Sequence, residues 1–445
     1  MKTGDIAGIV AVLLTVAILF LLLQALRRFV TITAEQLRKL AHLGTGVLAI
    51  SFAWIFSSWI AVCIVCGLAA LLMVAIRRYT PLKRRMGGVL ENVGRESRGE
   101  IYFPLSVALL SFLARGGKLM YVIPLLVLTF ADSTAALLGE EYGKHGYAGI
   151  GGIKSAEGSV SFFTVAFFSV HIPLLLFTEQ GRPETLLIAI DIALVVTLLE
   201  AIAWRGLDNL FIPLGVFILL HIYMTLSLWM LVTRLIVAAC LLLFVFLYRS
   251  RTTLQASALL ASVLVLYVSW GLGGWRWLIA PTTLFVTYTL FYPAKVLRVD
   301  RTHNVYAVVS AASSGLVWVF LAQVKFGTAL LYPYTLGYAI QLAILAWTLK
   351  VLRNPEDAAW KSGPTIVAFS CALIFLPWMA EEHFSRAALL GSLAGGALCG
   401  AAFALFCTVE RRQDGLYSVN GTRWARQAAI VFGATLAGAG MARFL

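Results

Sequence analysis

Long apolar runs broken by short charged segments recur along the whole chain. The first half reads as spans over 6–26, 43–57, 59–76, 101–114, 119–138, 159–177 and 185–203. A membrane-crossing helix needs about 20 mostly apolar residues, and on that criterion the chain predicts roughly 14 to 16 spans. The expected fold is therefore all-α, a polytopic transmembrane helical bundle. Beyond Phe211 the loops shorten and repeat a simpler basic punctuation, so we divide the chain into a membrane domain over 1–230 and an additional helical membrane domain over 231–445.

Composition agrees with the pattern. The 445 residues are 60% hydrophobic and 13% charged, and the mean hydropathy is +0.89. A large soluble core does not account for that. The formal charge of +14 would in a soluble protein suggest nucleic acid. Here Lys and Arg stand at the ends of apolar runs, where topology and anionic headgroups explain them, and no nucleic-acid partner is expected. The first run is too long for a secretion signal's apolar region and leads into Arg27 and Arg28 with no small-residue cleavage site, so it reads as a retained span. Arg27, Arg28, Arg38 and Lys39 make the loop after it cytoplasmic by the positive-inside rule, leaving the N-terminus on the other side. All six cysteines lie in apolar runs, and Cys63 and Cys66, despite their spacing, read as packing residues.

Carried forward, the same rule places every chemically rich loop on the cytoplasmic face. The densest is Thr129–Ser159, TFADSTAALLGEEYGKHGYAGIGGIKSAEGS. A helix continuing past Asp132 would put Asp132, Ala136 and Gly139 on one face, open to a second backbone or a ligand. Gly146, Gly149, Gly151, Gly152 and Gly158 free the backbone to turn N–H groups toward an anion, with Lys144 and Lys154 as countercharges. Lys154 and Ser155 follow glycines as in a phosphate loop, although Ile153 stands where a Walker sequence needs glycine.

Phosphoryl transfer needs a divalent metal, cationic donors and a group that orients the acceptor. Asp132 and Asp208 are the carboxylates best suited to Mg2+; Asn209 adds an amide oxygen, and Glu200 lies about two helical turns before Asp208. Arg38, Lys39 and His42 form a second polar cluster at the membrane edge. Plainer readings stand beside these: Asp132 as a helix cap, Lys154 as an anchor reaching the interface, Asp208 with Asn209 as an N-cap. Asp191, His171 and His221 lie within spans and keep a transporter or flippase in view, although single buried groups more often make local hydrogen bonds.

Four segments together resemble the membrane kinases of polyprenols and related lipids: RKLAH at 38–42, D-x-x-A-x-x-x-G at 132–139, IKSAEGS at 153–159 and EAIAWRGLDNLFIPL at 200–214. That family includes dolichol and phytol kinases and is related to phosphatidate cytidylyltransferases. The resemblance implies transfer of a phosphoryl group from CTP, with Mg2+, to the hydroxyl of a long-chain isoprenoid alcohol in the membrane. Lys154, Glu157 and Gly158 match the family's K-x-x-E-G element, and Asp208 and Asn209 its D-N pair. It implies catalytic roles for Asp132, Lys154, Glu157 and Asp208, a nucleotide site built from the glycines and cations named above, and metal ligation by Asp132, Asp208 and Glu200. The nearest alternative is a lipid-phosphate cytidylyltransferase. In the second half, GLGGWRWLIAP and RTHNVYAVVSAASSGLV are faintly similar to phytyl-phosphate kinases without their acidic motif, which implies a non-catalytic half.

Overall fold

A computed structural model describes residues 3–78, 98–149, 152–291, 303–323, 327–353, 359–411 and 421–441. Helix dominates, and eight described helices are long and apolar enough to cross a membrane, with four shorter apolar ones beside them. The protein is an integral membrane protein. By contacts the chain divides into two compact units, Met1–Ile236 and Val237–Leu445.

The N-terminal unit opens with α1 (Thr3–Phe29), α2 (Ala34–Ile55), α3 (Trp59–Arg78) and α4 (Gly99–Ala114). Helix α2 begins well before the apolar run expected at 43. Thr33 and Gln36 close a capping box, the Thr33 side chain accepting from the Gln36 N–H at 3.1 Å and the Gln36 side chain accepting from the Thr33 N–H at 3.0 Å. These two bonds satisfy donors that a helix start leaves open. Arg38 and Lys39, expected in a loop, therefore lie on the first turns of a helix.

Next come α5 (Lys118–Leu126), a π-helical turn (Val127–Ala131) and α6 (Asp132–Tyr142), which run as one span. Asp132 is thus inside a continuous helix and caps nothing. A two-stranded antiparallel hairpin follows, β1 (Gly146–Gly149) with β2 (Gly152–Ser155), pairing Tyr147 with Lys154. The unit continues through α7 (Ala156–Phe177), α8 (Arg182–Ile202), α9 (Asp208–Tyr223) and the start of α10 (Leu228–Tyr248).

One core of this unit takes Phe162, Ala166, Val170 and Leu174 from α7, and Ile212, Val216 and Leu220 from α9, all fully buried. Their spacing of four is the buried stripe of a helix. Helix association within lipid depends on close packing more than on apolar burial. That closeness is visible at Gly158, where an added Cβ would stand 2.9 Å from the Ala135 carbonyl oxygen, and at Gly46, where it would stand 2.3 Å from Thr129 Oγ1. Small residues bring α7 onto α6 and α2 onto the π turn. Asp191, expected to hydrogen-bond locally, is fully buried and makes no hydrogen bond. His171 stacks on Phe167 at 5.3 Å.

The C-terminal unit contains α11 (Ala256–Gly273), α12 (Trp275–Phe291), α13 (Val305–Leu321), α14 (Leu331–Arg353), α15 (Ala359–Glu381), α16 (Arg386–Arg411) and α17 (Gly421–Met441). Helix α14 supplies the middle of its core, with Tyr334, Ile340, Ala343 and Trp347 all buried. Polar side chains inside this unit bond to one another. Gln427 donates to Gln341 at 2.5 Å, Gln341 to the Ser310 carbonyl at 3.0 Å, and Ser310 to the Trp424 carbonyl at 2.8 Å. Glu410, which reads in sequence as a loop acid, is fully buried on α16 and accepts two bonds from Arg426, at 2.9 and 3.1 Å. Glu381 and Glu382 flank Arg276 at 3.3 and 2.7 Å. Asp300, Glu356, Asp357 and Asp414 lie outside the described residues.

Candidate active site

Two lysine–carboxylate pairs stand at the end of the N-terminal unit where α2, α4 and α9 begin. Lys39 Nζ lies 2.6 Å from Asp132 Oδ2 and also donates to the Asp132 carbonyl at 3.3 Å. Both side chains are nearly buried, and His42 Nε2, one helical turn along α2, is 3.6 Å from the same carboxylate oxygen. The π turn just before Asp132 widens the helix at this point, a distortion that recurs at functional sites. Thr129 within that turn is fully buried against Gly46.

The second pair joins the hairpin to α8. Lys154 Nζ is 2.6 Å from Glu200 Oε1 and donates as well to the Glu200 carbonyl. Burial alone would lower the Lys154 ammonium, but the Glu200 carboxylate, with Asp208 beyond it, outweighs burial and holds it above the ordinary lysine range. The hairpin is anchored by Tyr147, whose hydroxyl is 2.8 Å from Ser159 Oγ. Burial pushes the Tyr147 phenol up, so it stays a neutral hydrogen-bonding group.

Glu200 and Asp208 are not two turns apart on one helix. Helix α8 ends at Ile202, and the chain turns through Arg205 and Gly206, both with positive φ (52° and 84°). Left-handed backbone at these two residues breaks the helix. The Arg205 carbonyl accepts from the Arg98 N–H at 3.0 Å, tying this turn to the start of α4. Asp208 then opens α9, with its Oδ1 accepting from the Asn209 N–H at 3.0 Å. A carboxylate is favoured at a helix N-terminus, where the dipole is positive. The Asp208 charge is felt at Lys154 and, beside the other pair, at Arg38 and His42. Arg38 itself is held by Glu35 through two bonds of 2.5 and 3.0 Å.

Several polar atoms at this end are buried and have no hydrogen-bond partner: His42 Nε2, Ser133 Oγ, Glu200 Oε2 and Asn209 Oδ1. Unsatisfied buried groups cost about 1–3 kcal/mol each, so a cluster of them points to a ligand. The structure therefore gathers Arg38, Lys39, His42, Asp132, Lys154, Glu200, Asp208 and Asn209. Glu157 is set apart. Its carboxylate accepts from the exposed His145 ring at 2.7 Å and from the His145 N–H, which fastens the foot of the hairpin. Lys144 is exposed. Gly139 and Gly158 face each other across α6 and α7, with a Cβ at Gly158 3.4 Å from the Gly139 Cα, so that face of α6 meets a backbone. Ser155 caps α7 by accepting from the Gly158 N–H at 3.1 Å. Gly152 takes φ 128° at the hairpin turn, and Gly151 lies outside the described residues. The glycine-rich stretch is thus a paired hairpin that delivers Lys154. The pairings across 93 and 46 residues have no signal in the sequence; the capping box at Thr33, which sets the rotation of α2, does.

Fold and site together define an integral membrane protein whose ionisable groups gather at one end of a helical bundle. A phytol kinase from Synechocystis sp. is 31% identical over 195 residues, 43% of this chain and 81% of that protein. The chain belongs to the lipid kinase family of that phytol kinase. No family model and no solved structure matches it.

Proposed function

We propose that the N-terminal unit transfers the γ-phosphoryl group of CTP to the hydroxyl of a long-chain isoprenoid alcohol at the cytoplasmic membrane surface. The observation that carries this reading is the two lysine–carboxylate contacts of the N-terminal unit, Lys39 with Asp132 and Lys154 with Glu200, in a chain whose relative is a phytol kinase. Phosphoryl transfer is catalysed mainly by positioning and charge neutralisation. Lys39 and Lys154 would hold phosphate oxygens as compact point charges, each now balanced by a carboxylate at 2.6 Å. Asp208, with the unpartnered Glu200 Oε2 and Asn209 Oδ1, fits the hard oxygen donors that Mg2+ takes. Among the described residues no three metal-binding side chains converge by themselves, so phosphate oxygens would fill much of the shell. When bound, the metal supplies charge neutralisation at the phosphates. Asp132, fixed by Lys39, orients that lysine and lies beside His42 at the entrance for the alcohol. Glu157 acts at a distance, by holding the hairpin that carries Lys154.

The test is to supply the purified protein with Mg2+, γ-labelled CTP or ATP, and phytol, farnesol, dolichol or diacylglycerol, and to weigh the product. Label from CTP on an isoprenoid alcohol, with a mass gain of one phosphate, is the expected result. A gain of CMP on a lipid phosphate would replace the kinase by a cytidylyltransferase, and no lipid product from any donor would remove the enzymatic reading.

A further inference from the structure

We propose that an apolar cavity bounded by α1, α2, α3 and α4 is the acceptor site, and that its length selects alcohols with a main chain of about sixteen carbons. This rests on the kinase reading above. The cavity, with the part that opens to the exterior, takes in about 1100 Å3. Its walls are apolar except for Arg38, His42, Thr45, Glu100 and Asn209. Four of these are at the active-site end, because Arg38 and His42 lie on the first turns of α2, Glu100 on the first turn of α4 and Asn209 on that of α9. An amphiphile with one polar tip matches such a cavity. A prenyl alcohol is one, whereas a two-chain lipid or a soluble alcohol is not.

The tip is met by His42, whose Nε2 is buried with no hydrogen bond and lies 3.6 Å from the Asp132 carboxylate. A lipid hydroxyl donating to His42 would sit beside the lysine–carboxylate pairs.

At the other end stands Phe52. Its ring packs edge-on against Phe56 at 5.2 Å, and it lies between this cavity and a second one of about 900 Å3 at the opposite end of the unit. From Arg38 to Phe52, α2 rises about 21 Å, the extended length of a hydrocarbon main chain of roughly sixteen carbons. Ala49, buried on the same wall, stands about 16 Å along it, near the reach of a twelve-carbon main chain such as that of farnesol.

The experiment measures kcat/KM of the full-length protein and three variants for farnesol, phytol and undecaprenol, with CTP saturating. The wild type should prefer phytol to undecaprenol by about tenfold or more. Ala49→Phe should lower the phytol value about tenfold and the farnesol value least, a selectivity that misfolding does not produce. Phe52→Ala should join the two cavities and raise the undecaprenol value, a gain that damage to the fold cannot mimic. His42→Ala should raise KM for the alcohol and leave KM for CTP unchanged. Equal rates for all chain lengths, in the wild type and both groove variants, would overturn the acceptor site and leave the kinase reading standing. Absence of label on every alcohol would overturn both.

Discussion

The two units place their buried polar groups differently. In the C-terminal unit Gln427, Gln341 and Ser310 form a chain through the interior, and separately Glu410 holds Arg426, with Arg423 at 3.9 Å, while Gln427 Oε1 and Glu410 Oε2 keep no hydrogen bond. In the N-terminal unit the ionisable groups stand at helix ends, lysine on carboxylate, and leave His42 Nε2, Glu200 Oε2 and Asn209 Oδ1 without partners. Polar groups chained across several helices fix how those helices pack, whereas lysine–carboxylate pairs gathered at helix ends can exchange a partner for a ligand's charge. Charge count alone does not separate the two, since Glu410 is as deeply buried as any group in the chain.

The largest expected effect comes from breaking one pair in each unit. Lys154→Ala should lower turnover by about a thousandfold, the scale of losing a preorganised charge. The double variant Lys154→Ala/Glu200→Ala should recover thermal stability without recovering turnover. In the C-terminal unit, Glu410→Ala strands two arginines and should cost about 3–5 kcal/mol, read as a fall in the unfolding midpoint, while turnover per folded molecule stays unchanged. Loss of turnover with Glu410→Ala at full folding would bring that unit into the chemistry and erase the distinction.

Smaller effects sharpen the same contrast. Gly158→Ala places a Cβ 2.9 Å from a backbone oxygen that cannot move aside, and should cost about 1–3 kcal/mol. His303 gives the C-terminal unit a dependence on pH. Burial, then the Arg423 charge, lowers its pKa to about 4, whereas the unfolded chain takes up a proton near the ordinary histidine value of about 6.5. The unfolded state therefore binds more protons between these values. Stability should be complete above about pH 6.5 and fall by at most about 1.4 kcal/mol per unit as the pH drops toward 4. His303→Gln should flatten that slope in unfolding experiments. Glu157→Gln should change turnover least, by about threefold or less, because its carboxylate is partly exposed and fastens the foot of the hairpin through His145.

Hydropathy made the spans legible. The apolar stretch read over 6–26 lies within Thr3–Phe29, and that over 185–203 nearly coincides with Arg182–Ile202. Regions governed by something other than hydropathy were less so. The capping box advances α2 to Ala34, left-handed residues at 205 and 206 separate Glu200 from Asp208, and a π turn precedes Asp132. The residue types at the site could be read because they are costly inside a membrane and so stand out. Their partners could not, because Lys39 meets Asp132 across 93 residues through the packing of Gly46 on Thr129. The glycine run reads in the sequence as an open anion nest, and the pairing of Tyr147 with Lys154 makes it a hairpin instead.

The most direct test of the account is the rate of label transfer from γ-labelled CTP to phytol by the wild type and Asp208→Asn, compared at equal unfolding midpoints. A loss of about a hundredfold or more with unchanged folding is expected, since the Asp208 charge reaches Lys154 and the groups beside Lys39. A variant that folds as the wild type does and transfers label at the same rate would contradict it.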